Sequence, residues 1–245
     1  MAWSCSHVRA DDMRQSQPVR WTTVLQTGLA DRFQLTLGGL FGNGPAWQSR
    51  FESGLSNLWT PGDSLFLYGA ESFDLDAKRS DWQAGFGYRR PVLNRPRHSL
   101  TASLGFQHWE FANVLSGTRD WLAHENLTWR SRHRPFALNV TADSWTLLHS
   151  SLPRGSLIHT QVWMEHSLWS KDTTQILFRH GPAHTYSWGF YGTQGHRIVR
   201  YQTAISLAVG ATRFEVGLRQ QLGLQPRIPD NQFWHFLVSR SITLK

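Results

Sequence analysis

Hydrophobic and polar positions alternate along most of this chain. In SLTASLGFQHWEF, Ser99 to Phe111, the residues Leu100, Ala102, Leu104 and Phe106 share one parity. Thr101, Ser103, Gly105 and Gln107 share the other. Successive side chains of a strand point to opposite faces, so this segment is a strand with one apolar and one polar face. The pattern recurs. Phe33, Leu35 and Leu37 alternate with Gln34, Thr36 and Gly38, and Phe136, Leu138, Val140 and Ala142 with Asn139, Thr141 and Asp143. Ile158, Val162, Met164 and Leu168 oppose His159, Gln161, Glu165 and Ser167. Val199, Tyr201, Ile205, Leu207 and Val209 oppose Arg200, Gln202 and Ser206, and Phe214, Val216, Leu218 and Leu222 oppose Arg213, Glu215, Gly217, Arg219 and Gln221.

Read with the turn signals between them, these runs predict strands over approximately 32–41, 48–59, 64–74, 82–90, 99–109, 121–131, 136–144, 156–169, 173–180, 197–210, 212–223 and 232–244. No helix is predicted. Most of these strands are about as long as the 9–11 residues a tilted barrel strand needs to cross hydrocarbon, and longer than the five or six usual in soluble sheets. The connections alternate in length. TPGD, HRP, SKD and the turn at Ala211 are short. GNGPAWQ, DAKRSD, EFANVLSGTRD, WTLLHSSLPRGS, GPAHTYSWGFYGTQGH and LQPRIPDN are longer. PVLNRPRH breaks the rule, since its place in the phase calls for a short turn. Short turns at one end and long loops at the other mark outer-membrane barrels. The phase puts both termini on the short-turn side, as an even strand number requires. The expected fold class is therefore all-β, an antiparallel up-and-down transmembrane β-barrel of about 12 strands (12–14), spanning residues 32–245. Residues 1–31 form an N-terminal segment without assignment. Within it RWTTVLQTGLA, residues 20–30, reads as a surplus strand that fills the lumen, pairs at the seam or belongs to a longer chain.

Composition changes the picture in three ways. No run of eighteen apolar residues occurs, and the mean hydropathy is −0.40, which excludes a membrane-spanning helix but not a barrel. Thirteen Trp and fourteen Phe suit a membrane boundary as well as an aromatic-rich soluble sandwich, so composition leaves those two open. The formal charge of +8 is carried mostly by Arg spread over the whole length, which leaves no nucleic-acid footprint. Cys5 is the single cysteine, so no intrachain disulfide forms and a cysteine metal site is not expected. The stretch MAWSCSHVRADDMRQSQP lacks the apolar core of a secretory signal, which leaves export to a start further upstream or favours the soluble reading.

One region resembles a known family. LFGNGPAWQSRFESGLSNLWTPGDSLFLYGAESFD, followed by DWQAGFGYRRPVLNRPRHSLTASLGF, is similar to the opening barrel strands of two-partner secretion transporters of the haemolysin-activator type. The likeness rests on Asn43–Gly44, on Arg50, on SNLWTPGDSLFLYG across a short turn, and on YRRP, Tyr88 to Pro91. It covers residues 40–106. It implies a sixteen-stranded barrel that exports a partner polypeptide, with periplasmic domains ahead of it. The chain itself shows about twelve strands and no Arg-Gly-aromatic motif. The last strand, NQFWHFLVSRSITLK, resembles the C-terminal signal read by barrel-assembly machinery, without the usual terminal aromatic.

No catalytic residue is assigned. Glu165, His166 and Ser167 are consecutive, so neighbours among them face opposite ways and form no local nucleophile–base pair. His108 and His166 fall on the apolar face and read as interfacial side chains. His180 and His184 flank a predicted Gly-Pro turn without further metal ligands, so no metal or other cofactor is expected. The candidate lumen lining is Arg50, Glu52, Glu71, Arg89, Arg130, Asp143, Glu165, Arg179, Arg200, Arg213, Glu215 and Arg219. Each Arg would cost roughly 2–4 kcal/mol at the lipid-facing midplane, which places them inside. Such a lumen either conducts with a preference against cations or is filled by its own paired charges. Glu125 and Arg240 break the pattern by landing on the apolar face, at strand ends or through a slip in register. The expected function is an outer-membrane pore or a transport or secretion channel. Its partners are outer-membrane lipid, a solute or secreted polypeptide, and the assembly machinery, with no nucleic acid. A lipid-modifying outer-membrane enzyme and a soluble all-β binding module are the alternatives.

Overall fold

The computed structural model describes residues 18–31, 44–111, 118–133, 135–225, 228 and 230–244. These residues build twelve strands: β1 (Arg20–Ala30), β2 (Ala46–Ser56), β3 (Ser64–Asp74), β4 (Arg79–Asn94), β5 (His98–Phe111), β6 (Thr118–His133), β7 (Phe136–His149), β8 (Ser156–Lys171), β9 (Thr174–Phe190), β10 (Thr193–Val209), β11 (Thr212–Gly223) and β12 (Asn231–Leu244). Each pairs antiparallel with its chain neighbours, and β1 pairs with β12, so the sheet is a closed barrel. Closure leaves no strand edge unpaired, which a lipid environment demands. The count is twelve, not the sixteen implied by the two-partner secretion resemblance.

The seam differs from the sequence reading. Residues 20–30, assigned above to the N-terminal segment, form β1, paired with β12 from Trp21↔Leu244 to Ala30↔His235 and with β2 along its length. The barrel therefore begins at Arg20, and the boundary at residue 32 is too late. The expected strand 32–41, with Phe33, Leu35 and Leu37, and Asn43 of the resemblance lie outside the described residues.

The connections fall at alternate ends as expected, but their lengths keep the phase only in part, since 57–63 has seven residues at the short-turn end and 191–192 has two at the other. One end carries the turns 57–63, 95–97, 134–135, 172–173 and 210–211; the other carries 31–45, 75–78, 112–117, 150–155, 191–192 and 224–230. PVLNRPRH ceases to be an exception, because β4 runs on to Asn94 and β5 starts at His98. GPAHTYSWGFYGTQGH is the larger surprise. It is no loop but the upper halves of β9 and β10, joined at Tyr191–Gly192, both at positive φ (52° and 73°). That backbone suits a two-residue primed turn, whose twist matches the strands it joins. Pro182 is tolerated within β9 because the β8 ladder is interrupted beside it: pairing stops at Gln161↔Ala183 and resumes at Met164↔His180.

The outer face is apolar and banded. Leu25, Phe51, Leu67, Phe86, Leu104, Ile205 and Val216 are all more than a third exposed. Trp47, Trp82, Trp121, Trp188 and Trp234 ring the long-loop end, and Trp21, Trp59 and Trp169 the short-turn end. An apolar belt between two aromatic girdles is the surface a bilayer selects. Glu125 is outward without any slip in register, opposite Leu104 and Ser144 in mid-strand. Arg240 is outward too, opposite Thr212 near the short-turn end. His108 lies between Trp82 and Trp121 in the upper girdle, its ring 5.2 and 4.7 Å from theirs.

The β2–β3 turn is held around a buried carboxylate. Asp63 is fully buried and accepts hydrogen bonds from the backbone N–H groups of Leu58 (2.8 Å), Trp59 (3.1 Å) and Thr60 (3.0 Å) and from the Tyr88 hydroxyl (3.2 Å). Burial opposes the charge on this carboxylate, but the converging donors outweigh it and hold its pKa below the usual 3.8. Asn57, at φ 61°, accepts from Gly62 N–H at 2.7 Å and completes the turn.

Candidate functional site: the barrel lumen

Inward-facing side chains enclose a cavity of about 680 Å³. Of the twelve predicted lining residues, Arg50, Glu52, Arg89, Asp143, Arg179, Arg200, Glu215 and Arg219 border it from inward positions. Arg130, Glu165 and Arg213 share the inward parity of their strands and lie below the cavity, toward the short turns. Glu71 is a correction. Although it touches the cavity edge, inward parity in β3 belongs to Phe66 and Tyr68, and Glu71 pairs with Ser49 and Trp82 on the outward face, where it accepts a hydrogen bond from Ser80 at 2.6 Å. A residue one step out of parity faces the other side.

Most of the charge is paired, in two groups. On one wall, Arg89 donates to Glu52 at 2.8 Å and lies over the Phe66 ring at 4.6 Å, with Arg50 3.8 Å from the same carboxylate. On the other, a band runs from β6 to β12. Arg130 donates to Glu165 (2.8 Å), Arg179 to both Glu215 oxygens (2.5 Å each), and Arg213 and His235 approach Glu215 at 3.3 and 3.2 Å. Higher up, Asp143 accepts from Asn126 at 2.7 Å and is 2.9 Å from His124 Nε2. Not all of this wall is buried: the Arg50 side chain is 53% exposed, Arg89 37% and Arg130 38%.

The long-loop end of the lumen was not anticipated. There Ala46, Trp109, Phe111, Leu122, Trp145, Leu147, Leu157 and Phe190 form one apolar cluster, all within 5% of complete burial, with Asp74, Asp81, Asp120 and Ser187 buried at the same end. Trp109 stands edge-on to Phe111 and Phe190, with centroids 5.6 and 6.4 Å away. The β9–β10 turn folds onto this plug. Tyr191 N–H donates to the Pro153 carbonyl at 3.1 Å, and its hydroxyl donates to Asp120 of β6. Burial and the Asp120 carboxylate both push the Tyr191 phenol upward, so it stays a donor. The signal was present in the sequence. Trp109 follows Gln107 by two, and Trp145 follows Asp143 by two, so both carry the inward parity.

Among the described residues, no three His, Cys, Asp or Glu side chains converge as metal ligands. His180 and His184 flank no turn but face outward within β9. His180 approaches His166 (3.3 Å) and the Tyr201 hydroxyl (2.7 Å), and His184 approaches His196 (2.8 Å).

The architecture is shared with solved membrane barrels. An outer membrane channel from Pseudomonas putida F1 aligns with a TM-score of 0.58 at 10% identity, over 91% of this chain and 95% of that one. The β domain of the Bordetella autotransporter BrkA gives 0.52 at 12% identity, over 89% and 98%. LpxR from Salmonella typhimurium gives 0.50 at 8%, over 89% and 99%. No protein-family model matches the sequence, and no curated protein does. The fold is thereby that of the outer-membrane β-barrels.

Proposed function

We propose that this protein resides in the outer membrane and is a gated channel for small polar solutes. Its lumen acts by binding and passage, and no residue performs bond chemistry. The observation that carries this reading is the solvated, charged cavity of about 680 Å³ closed on one side by an apolar plug. Space remains beside the paired charges for a polar occupant, and an apolar constriction is a recognised form of gate. The aromatic girdles and apolar belt support placement in a bilayer, with assembly machinery as the expected folding partner. The chamber is small for a secreted polypeptide, so the solute is taken to be small. The lipid-modifying alternative has less behind it: the outward His166–His180–Tyr201 chain contains no serine, and outward Ser144 neighbours Glu125 but has no histidine paired with it.

Single-channel recording of the refolded barrel in a planar bilayer tests the proposal. The expected result is rare, small openings in the wild type and frequent ones after Tyr191→Phe combined with Phe190→Ala, which releases the turn and opens the plug. A wild type and a variant that are equally silent, with both barrels showing heat-dependent gel mobility, would overturn the channel reading.

A further inference from the structure

Of the five guanidinium groups that border the cavity, Arg50, Arg89 and Arg179 meet a carboxylate, and Arg200 and Arg219 do not. Arg200 and Arg219 face into the lumen from adjacent strands, with Gln202 paired to Arg219 and Arg200 to Gln221. The two are diagonal neighbours on one face, within reach of a common partner. Both lie over the Phe233 ring, at 5.5 and 5.8 Å from its centroid. Arg200 is only 3% exposed and donates to the neutral Gln221 oxygen at 2.7 Å. Among the described residues, neither Arg has an ion pair. The inward carboxylates that line the cavity are engaged elsewhere: Glu215 by Arg179, Arg213 and His235, Glu52 by Arg89, and Asp143 by Asn126 and His124.

Unused donors point the same way. Arg200 Nε, Arg219 Nε and Gln202 Nε2 are all buried without a hydrogen-bond partner, and Gln202 is 2% exposed. Buried donors without acceptors are costly, and buried unpaired cations more so. All three residues border the same cavity. A site made of donors and positive charge, with an aromatic floor, lacks an acceptor that carries negative charge. We infer that Arg200, Arg219 and Gln202 form a binding site for a small oxyanion, a phosphate or carboxylate group held by forked guanidinium hydrogen bonds. The inference deepens the channel reading by giving the solute a chemistry, yet the site is defined by the wall alone and binds whether or not the plug opens.

The test is thermal unfolding of the full barrel in detergent, followed by the heat-dependent gel shift, in inorganic phosphate and in chloride at matched ionic strength. Phosphate is expected to raise the unfolding temperature of the wild type where chloride does not. Arg219→Met is expected to abolish that increment, and Arg119→Gln, which removes an equal charge from the outer rim, to keep it. Equilibrium dialysis of labelled phosphate against the wild type gives the direct reading, one site per barrel, with at least tenfold weaker affinity in Arg219→Met. Should Arg219→Met fail to fold, the dialysis stoichiometry and the phosphate–chloride contrast in the wild type still decide. Equal effects of phosphate and chloride, or an unchanged phosphate effect in Arg219→Met, would overturn the site. Phosphate binding without conductance in the plug variant would keep the site and discard the channel; conductance without phosphate binding would do the reverse.

Discussion

Glu215 is the side chain whose loss should cost most. It is 5% exposed and meets three groups: Arg179 at 2.5 Å through both oxygens, Arg213 at 3.3 Å and His235 at 3.2 Å. Glu215→Gln keeps the volume and removes the charge. Two guanidinium groups then lose their counter-ion in a lumen that already holds Arg200 and Arg219 without one. Removing one member of a buried ion pair costs about 3–5 kcal/mol, because the partner's charge stays behind. Arg213 is partly hydrated, with a side chain 32% exposed, which places the estimate at the lower end, about 3 kcal/mol. Glu52 provides the internal control. It faces Arg89 at 2.8 Å, but the two side chains are 24% and 37% exposed, so Glu52→Gln should cost about 1 kcal/mol or less. Urea unfolding of barrels refolded into lipid, followed by tryptophan fluorescence, measures both. Equal costs for the two variants, or a Glu215→Gln barrel within 1 kcal/mol of wild type, would refute the argument that burial sets the worth of these pairs.

Further expectations rest on other parts of the barrel. Asp63→Asn should destabilise the β2–β3 turn by about 1–3 kcal/mol, since a neutral amide cannot accept from three converging N–H groups and the Tyr88 hydroxyl. Because the Asp63 pKa is held below 3.8, its contribution is complete above that pH and is lost as pH falls through the lower folded value; urea midpoints of wild type and Asp63→Asn should therefore converge on acidification. Ile205→Arg, on the outward face at 55% exposure, should cost roughly 2–4 kcal/mol in lipid, whereas Thr101→Arg in the lumen should alter ion preference at little cost in stability. Gly217→Val should uncouple His235 from Glu215, because a Cβ at residue 217 would come within 2.3 Å of the His235 ring; a lowered gel-shift temperature checks it.

The barrel was legible because its outer face is simple. Lipid favours apolar side chains, so Leu104, Ile205 and Val216 carry a clear parity despite outward exceptions such as Glu125. The seam was less so, since residues 20–30 and 32–41 alternate equally well and only pairing with β12 singles out the former. The β9–β10 hairpin was misread because Gly181, Pro182 and Gly189 are turn formers by themselves. In place, the interrupted β8 ladder absorbs Pro182, and the tip belongs to Tyr191–Gly192. For charge, the parity rule recovered the inward position of all but one predicted residue. Glu71 went astray in a strand where Phe66 and Tyr68 put aromatics inside and left Leu65 and Leu67 outside.

That last error and the missed plug share a cause. A membrane barrel inverts the usual inference, in that apolar does not mean interior, and reading every inward position as polar repeats the simplification from the other side. The lumen is graded. Its lower part is charged and accessible, its middle holds Arg200 and Arg219 without a carboxylate partner, and its upper part packs Trp109, Trp145 and Phe190 into an apolar cluster beside the buried Asp120. A strand in such a barrel has a mostly apolar outer face, broken at residues such as Glu125 and His180, and an inner chemistry that changes with height. The position of a residue within its strand therefore carries as much information as its parity. Trp109 and Trp145, each two residues beyond a polar lumen residue and near a strand end, are where the two kinds of information combine to locate the apolar cluster.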